Sequence, residues 1–433
     1  MPSLPAFEEL SRQIAADFLQ SVVVVDDLAF FYESDLPDPH PLSTPTRGNV
    51  KVPAQAHAGP NTVGEASHKL DAKALIDGFA DRGLVCSVLR PKYQEQFQAR
   101  TIKTAQRADI LVLDWQIQGT LGENVSGFVS TILGDSTDRI RLIAIYTAES
   151  LSHVRDDLAE VVQSVGSCVE EDAGYVLIQG ATRICIFAKE GCIAAPTQQI
   201  VTVQQLPDRL ISEFTKATMG LLSNVALKSL AAVRKNTHRI LGRFHRGLDA
   251  PYLTHRMLLQ IPQDAEEFLA YLAGEELQAI IEESNVCNAV NIEAIRHWLE
   301  WKKPIAGYYT FRDGNNVQNW SIDQIVDMLE QGIANIDKEV LRSSYGLSKG
   351  KDHHHKLPLT ATFDNAPSLD EDFAHLTVLR SVYYDQAPTL TLGTLLEMVG
   401  DNPSYLVCIQ PRCDCVRIGD DRAFPFLPLS VVT

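Results

Sequence analysis

Over roughly the first 200 residues, short and fully apolar runs alternate with longer segments whose apolar residues recur every three or four positions. Residues 6–20 (AFEELSRQIAADFLQ) have helical spacing and lead into SVVVVDD, where Val22 to Val25 read as a strand buried on both faces. HKLDAKALIDGFADRG predicts a helix with Leu70, Ala74, Leu75 and Phe79 on its buried face and Gly83 placed to end it. LVCSVLRP is a second strand, and residues 91–107 form a helical return. ADILVLDWQ gives a third strand, RLIAIYTAE a fourth ending near Thr147, and YVLIQG with RICIFAKEG supply strands that end near Lys189. Strands alternating with helices predict an α/β fold, a doubly wound parallel five-stranded sheet covered on both faces. Residues 33–67 are rich in Pro, Gly, Ser and Thr without apolar period, and read as an inserted loop.

The pattern changes beyond about residue 200. Sustained helical spacing begins at LPDRLISEFTKATMGLLSNVALKSLAAVRKNTHRIL, and further helical segments follow to about residue 347. After a polar stretch and another helical run, YLVCIQPRCDCVRI and AFPFLPLSVV read as two short strands. The expected organisation is therefore residues 1–200 as the α/β domain, 201–380 as a mainly helical domain for output or interaction, and 381–433 as a small C-terminal segment.

Composition narrows the function classes. Net charge is −17, which argues against a broad basic surface for nucleic-acid phosphates. One basic stretch, RKNTHRILGRFHR, has its charges spaced along a helical pattern and reads as a solvated helix face. No signal-peptide pattern and no membrane-length apolar run occurs, so a cytoplasmic protein is expected. The eight cysteines, 86, 168, 185, 192, 287, 408, 413 and 415, are scattered, several within apolar runs, and form no disulfide framework.

Polar residues end the strands. Asp26 and Asp27 follow the first, Asp114 the third, Thr147 the fourth and Lys189 the last, and in a parallel α/β sheet ligands gather at those carboxyl ends. Three carboxylates in one crevice call for a divalent cation, and an all-oxygen set suits Mg²⁺. A phosphoryl group brought there would find Lys189 as counter-charge and the Thr147 hydroxyl as donor, with Asp114 the carboxylate to form an acyl phosphate.

VVVVDD, ILVLDWQ, IAIYTAE and CIFAKE resemble the corners of the response-regulator receiver domain of two-component systems, whose fold is flavodoxin-like. The resemblance covers roughly residues 15–200. It implies that Asp26 and Asp27 position Mg²⁺, Asp114 is the phospho-acceptor and metal ligand, the carbonyl of Gln116 is a backbone ligand, Thr147 senses the phosphoryl group and Lys189 pairs with it. It also implies a histidine kinase or phosphotransfer protein as partner, a downstream effector protein, and no catalysis beyond phosphorylation and dephosphorylation of the chain's own aspartate. Departures are the loop at 33–67, an enlarged segment at about 149–182, Glu190 where proline commonly follows the lysine, and Ile186 where a switch aromatic often stands. The architecture is loosely similar to regulators of Detocs-type phage-defence systems, in which such a protein relays phosphate or acts as a sink for it.

Other readings are weaker. Haloacid-dehalogenase-like hydrolases want Asp-x-Asp, whereas Leu28 follows the adjacent pair here; no nucleotide-binding glycine motif is present. His238 in THRILGRF is faintly similar to a phosphotransfer histidine but lacks the lysine three residues on, which is Leu241. His353, His354 and His355, and Cys408 with Cys413 and Cys415, leave weak metal binding open. Homodimerisation also stays open. The opposing reading is a receiver-derived interaction scaffold that is never phosphorylated.

Overall fold

The computed structural model describes residues 6–31, 69–91, 94–120, 122–135, 140–192, 195–303, 306–347, 357–364, 372–373, 376, 390, 392–399, 404–411 and 423–429. The expected loop at 33–67, His353 to His355, Cys413 and Cys415 lie outside them. The chain divides into two compact units, Met1–Lys228 and Ser229–Thr433.

The first unit runs α1 (Ala6–Phe18), β1 (Ser21–Val25), α2 (Ala72–Ala80), β2 (Val85–Leu89), α3 (Gln94–Ala105), β3 (Ile110–Leu113), α4 (Glu123–Asp135), β4 (Arg141–Thr147), α5 (Leu151–Val165), β5 (Val169–Glu171), β6 (Val176–Gln179), β7 (Thr182–Ala188) and α6 (Leu206–Thr218). α7 (Leu221–Lys235) contains the division between the units. The sheet order is β2-β1-β3-β4-β7-β6-β5. Its first five strands are parallel, as the apolar runs predict, while β6 and β5 add an antiparallel extension beyond β7. This extension is the enlarged segment between the fourth and fifth parallel strands.

Alternation along each strand sorts the two faces. Val23, Val25, Leu111, Leu113, Ile143, Ile145, Ile184 and Ile186 pack in one cluster with Val125, Val129 and Ile132 of α4 and Leu151, Val154, Leu158 and Val162 of α5. The intervening residues, such as Val24, Ala144 and Phe187, are also buried and point to the opposite face. There α1 pairs with α6, Phe18 stacking on Phe214 with ring centroids 5.8 Å apart. Both faces are thus covered, which is why β1 can carry four β-branched valines in a row.

α6 is held by charge as well as by packing. Glu213, buried on α6, accepts bonds from Arg183 Nε (3.2 Å) and Nη2 (2.9 Å) of β7 and from Lys216 Nζ (2.8 Å). Arg183 also donates to Glu171 of β5 at 2.8 Å, so one guanidinium joins β7, β5 and α6.

The second unit contains α8 (Thr237–Arg243), α9 (Asp249–Leu258), α10 (Asp264–Glu283), α11 (Ile292–Trp301), β8 (Tyr309–Asp313), β9 (Asn316–Trp320), α12 (Ile322–Gln331), α13 (Lys338–Ser344), and then β10 (Leu395–Met398), β11 (Ser404–Cys408) and β12 (Phe426–Leu429). The region to residue 347 is mainly helical, as expected, and β8 and β9 form a hairpin among its helices. Gly314–Asn315 supplies the hairpin's two-residue turn between the paired Asp313 and Asn316, Gly314 at φ +58°. Phe311 stacks on Trp320 at 4.7 Å, within a core shared with Ile325 and Val326 of α12 and Leu341 of α13. Ser321 and Gln324 close α12 with a reciprocal capping box. The C-terminal segment has three antiparallel strands where two are expected, β10 being the addition. Cys408 is buried at the end of β11, and His238 is exposed on α8. Among the described residues no helix is long and apolar enough to cross a membrane.

Candidate functional site

Main-chain ladders carry the strand-end residues to one place. Asp26 N donates to Leu89 O (3.1 Å), Asp114 N to Val25 O (3.0 Å) and Lys189 N to Thr147 O (2.7 Å), so β1, β3, β4 and β7 end side by side. Asp26, Asp114, Thr147 and Lys189 are all buried there, Asp114 with 2% of its surface exposed.

Lys189 is the centre of the cluster. Its Nζ donates to Asp26 Oδ2 and to Asp114 Oδ2, each at 2.8 Å. Burial pulls the ammonium's pKa down, but the charges of Asp114 and Asp26 outweigh that and hold it above its ordinary value. Asp26 is also raised above its ordinary value: burial and the Asp114 charge push it up, and Lys189 opposes them only in part. The like charges that the sequence sets together are therefore offset first by a cation of the chain itself.

The remaining oxygens differ. Asp26 Oδ1 accepts from Leu28 N at 2.9 Å, so both oxygens of Asp26 are engaged. Asp27 Oδ2 accepts from Gln118 N at 2.7 Å, while Asp27 Oδ1 and Asp114 Oδ1 are buried with no hydrogen-bond partner. Two orphaned carboxylate oxygens, in a cluster with three carboxylates against one ammonium, are a fit for a hard oxygen-seeking cation that keeps several waters. Among the described residues no group of three or more His, Cys, Asp or Glu side chains is arranged to hold a metal, consistent with Asp26 being turned to Lys189.

Thr147 lies at the end of β4 beside Ala188, and its Oγ1 accepts from Glu149 N at 3.2 Å. Gln116 is half-buried in the turn after β3. That turn contains a residue that sequence reasoning passes over. Gln118 sits at φ +61°, and besides its main-chain bond to Asp27 its Nε2 donates to Pro91 O at 3.3 Å. A non-glycine residue in the left-handed region is the strained geometry that aims this N–H at a carboxylate. Tyr146 is the other missed residue. Its ring centroid lies 5.9 Å from Lys189 Nζ, and its hydroxyl donates to Val201 O at 2.8 Å. A buried tyrosine inside the apolar run IAIYT carries no sequence signal beyond strand propensity.

Gly122 closes the same turn at φ +83°, and a Cβ there would press into the indole of buried Trp115, next to the Asp114 main chain. Gly122→Ala should cost about 2 kcal/mol from strain and overpacking. Urea unfolding followed by Trp115-region amide exchange would show the loss; protection equal to the native chain's would mean the turn adapts without strain.

Residues 18–192 match the family model of the response receiver domain. No curated protein and no solved structure matches the chain.

Proposed function

We propose, from the premise that residues 18–192 are a response receiver domain, that Asp114 accepts a phosphoryl group from the phosphohistidine of a kinase or phosphotransfer protein, in the presence of Mg²⁺. The observation that carries the reading is the pair of open oxygens, Asp27 Oδ1 and Asp114 Oδ1, beside a lysine that already bonds the acceptor carboxylate. Asp27 and Asp114, with the Gln116 carbonyl, are the residues that would hold the cation, and Asp26 keeps Lys189 in place beside them. Mg²⁺, when bound, offsets the charge of the carboxylate and of the phosphoryl oxygens.

An Asp114 oxygen attacks phosphorus, the P–N bond to the imidazole breaks, and its electron pair stays on that nitrogen, which takes up a proton. The acyl phosphate brings three acceptor oxygens into reach of Lys189, whose ammonium then exchanges an Asp114 oxygen for a phosphoryl one. Because Thr147 Oγ1 accepts from Glu149 N, the hydroxyl keeps its hydrogen for donation to the same group. The output is relay of this charge to an effector or simple absorption of the phosphoryl group.

The test is intact-mass analysis of the full chain after incubation with Mg²⁺ and acetyl phosphate, run beside Asp114→Asn. One phosphoryl adduct on the native chain and none on the variant is the expected result. No adduct on the native chain, with acetyl phosphate or with a kinase, would turn the reading to an unphosphorylated interaction scaffold. The observation on that side is the burial of Asp114, whose Oδ2 is already paired with Lys189.

A further inference from the structure

Tyr146 and Thr147 are neighbours on β4 and face opposite sides of the sheet. Thr147 ends at the carboxylate cluster, whereas Tyr146 points to the face covered by α1 and α6, away from the cluster that contains Ile143, Ile145 and Ile186. The tyrosine is buried, and its two polar relations run in different directions. Its ring lies under the Lys189 ammonium at 5.9 Å, and its hydroxyl donates to the main-chain oxygen of Val201 at 2.8 Å.

Val201 belongs to a segment already zipped to the lysine's own strand. Ala188 and Ile200 form an isolated parallel bridge, and Val201 N donates to Ala188 O at 3.0 Å. Immediately afterwards Thr202 and Gln205 exchange bonds, Gln205 N to Thr202 Oγ1 at 3.3 Å and Thr202 N to Gln205 Oε1 at 3.4 Å, and α6 begins at Leu206. Burial raises the Tyr146 phenol's pKa, and the charges of Glu190, Asp26 and Asp114 add to that shift, so the phenol senses the carboxylate cluster electrostatically while its ring faces Lys189. Ile186, by contrast, is an aliphatic residue locked in the opposite core.

We propose that Tyr146 relays the occupancy of Asp114 to the main chain of residues 197–206 and so to the start of α6. This rests on the acceptor reading above. Converting Asp114 to the acyl phosphate gives Lys189 new oxygen partners, and the ammonium moves relative to the Tyr146 ring. A buried phenol whose hydroxyl is bonded to one carbonyl cannot follow without shifting Val201 or losing that bond. Either result changes the hydrogen bonding of the segment that leads into α6. Tyr146 is thus a positioning residue, outside the phosphoryl-transfer chemistry itself.

The experiment is amide hydrogen exchange of the full chain, native and Tyr146→Phe, with and without Mg²⁺ and acetyl phosphate, each sample also checked by intact mass. In the native chain, phosphorylation should change exchange in peptides covering 197–206. Tyr146→Phe should take up phosphate to the same extent, with that phosphorylation-dependent change reduced by about fivefold, the factor that one lost hydrogen bond sets. A native-sized change in Tyr146→Phe overturns the proposal. So does a phosphorylated native chain with no change at 197–206, or a variant in which that segment exchanges faster by one constant factor in both states. A native chain that takes up no phosphate removes the acceptor reading itself, and the mass spectrum distinguishes that case from the others.

Discussion

Lys189→Met should destabilise the first unit by about 3–5 kcal/mol at neutral pH, the loss expected when one partner of a buried ion pair is removed. Lys189 Nζ bonds Asp26 Oδ2 and Asp114 Oδ2, and the variant leaves both carboxylates buried, close and without that cation. The pH dependence has a definite sign. Asp26 already stands above its ordinary value through burial and the Asp114 charge, and Lys189 is the first influence holding it down. Without Lys189 it rises further, so the native state binds its proton more readily than the unfolded chain does. Stability is then present at low pH and is lost as pH rises through the folded value. The deficit of Lys189→Met should accordingly shrink as pH is lowered from neutral toward the ordinary carboxylate range. Amide exchange of β1, β3 and β7 reads this locally, which matters because a chain of two units has no single unfolding free energy. A deficit below about 1 kcal/mol, or one independent of pH, would mean that water or a bound cation replaces the lysine.

Glu213→Ala should cost about 3 kcal/mol, by the same logic at a second buried pair. Its carboxylate accepts two bonds from Arg183, and the guanidinium would keep only Glu171, which is half exposed. Burial alone would raise the Glu213 carboxyl, but Lys216 and Arg183 outweigh it and hold it below its ordinary value near 4.5. A depressed folded value gives stability that is complete above the unfolded value and lost as pH falls through the folded one. The native chain and the variant should therefore differ fully at neutral pH and converge as pH drops below 4.5. Exchange of the α6 and β7 amides across that range checks it. A difference that persists into strong acid would assign the loss to packing at Glu213 instead of to its charge.

Much of the first unit is legible in the sequence because its strands are fully apolar and end on polar residues. Val22 to Val25, Ile110 to Leu113 and Leu142 to Tyr146 could hardly be placed elsewhere than in a covered parallel sheet. What sequence cannot convey is direction of approach. Nothing in CIFAKE says that Lys189 reaches two aspartates at once, and nothing in DWQIQG says that a strained Gln118 turns its N–H to Asp27. Those depend on contacts across the sheet and on one backbone angle. The β8–β9 hairpin is a different case, since Gly314–Asn315 between alternating aromatic and polar residues is a local turn signal that the surrounding helical pattern obscures. β10 offers less: LLEM fits helix and strand alike, and its pairing with β11 decides.

The distance along the chain between Asp26 and Lys189 has a consequence for how this protein is made. The two residues are 163 positions apart. At ordinary elongation rates the ribosome needs roughly 10–30 s to travel that far. Throughout that interval the nascent N-terminal strand carries its acidic pair without the lysine that offsets it. Asp114 emerges on the way and adds like charge to a half-built sheet. The carboxyl edge of β1 and β3 can therefore close only after β7 has been synthesised and has docked beside β4, so the functional end of the sheet is among the last parts of the unit to set.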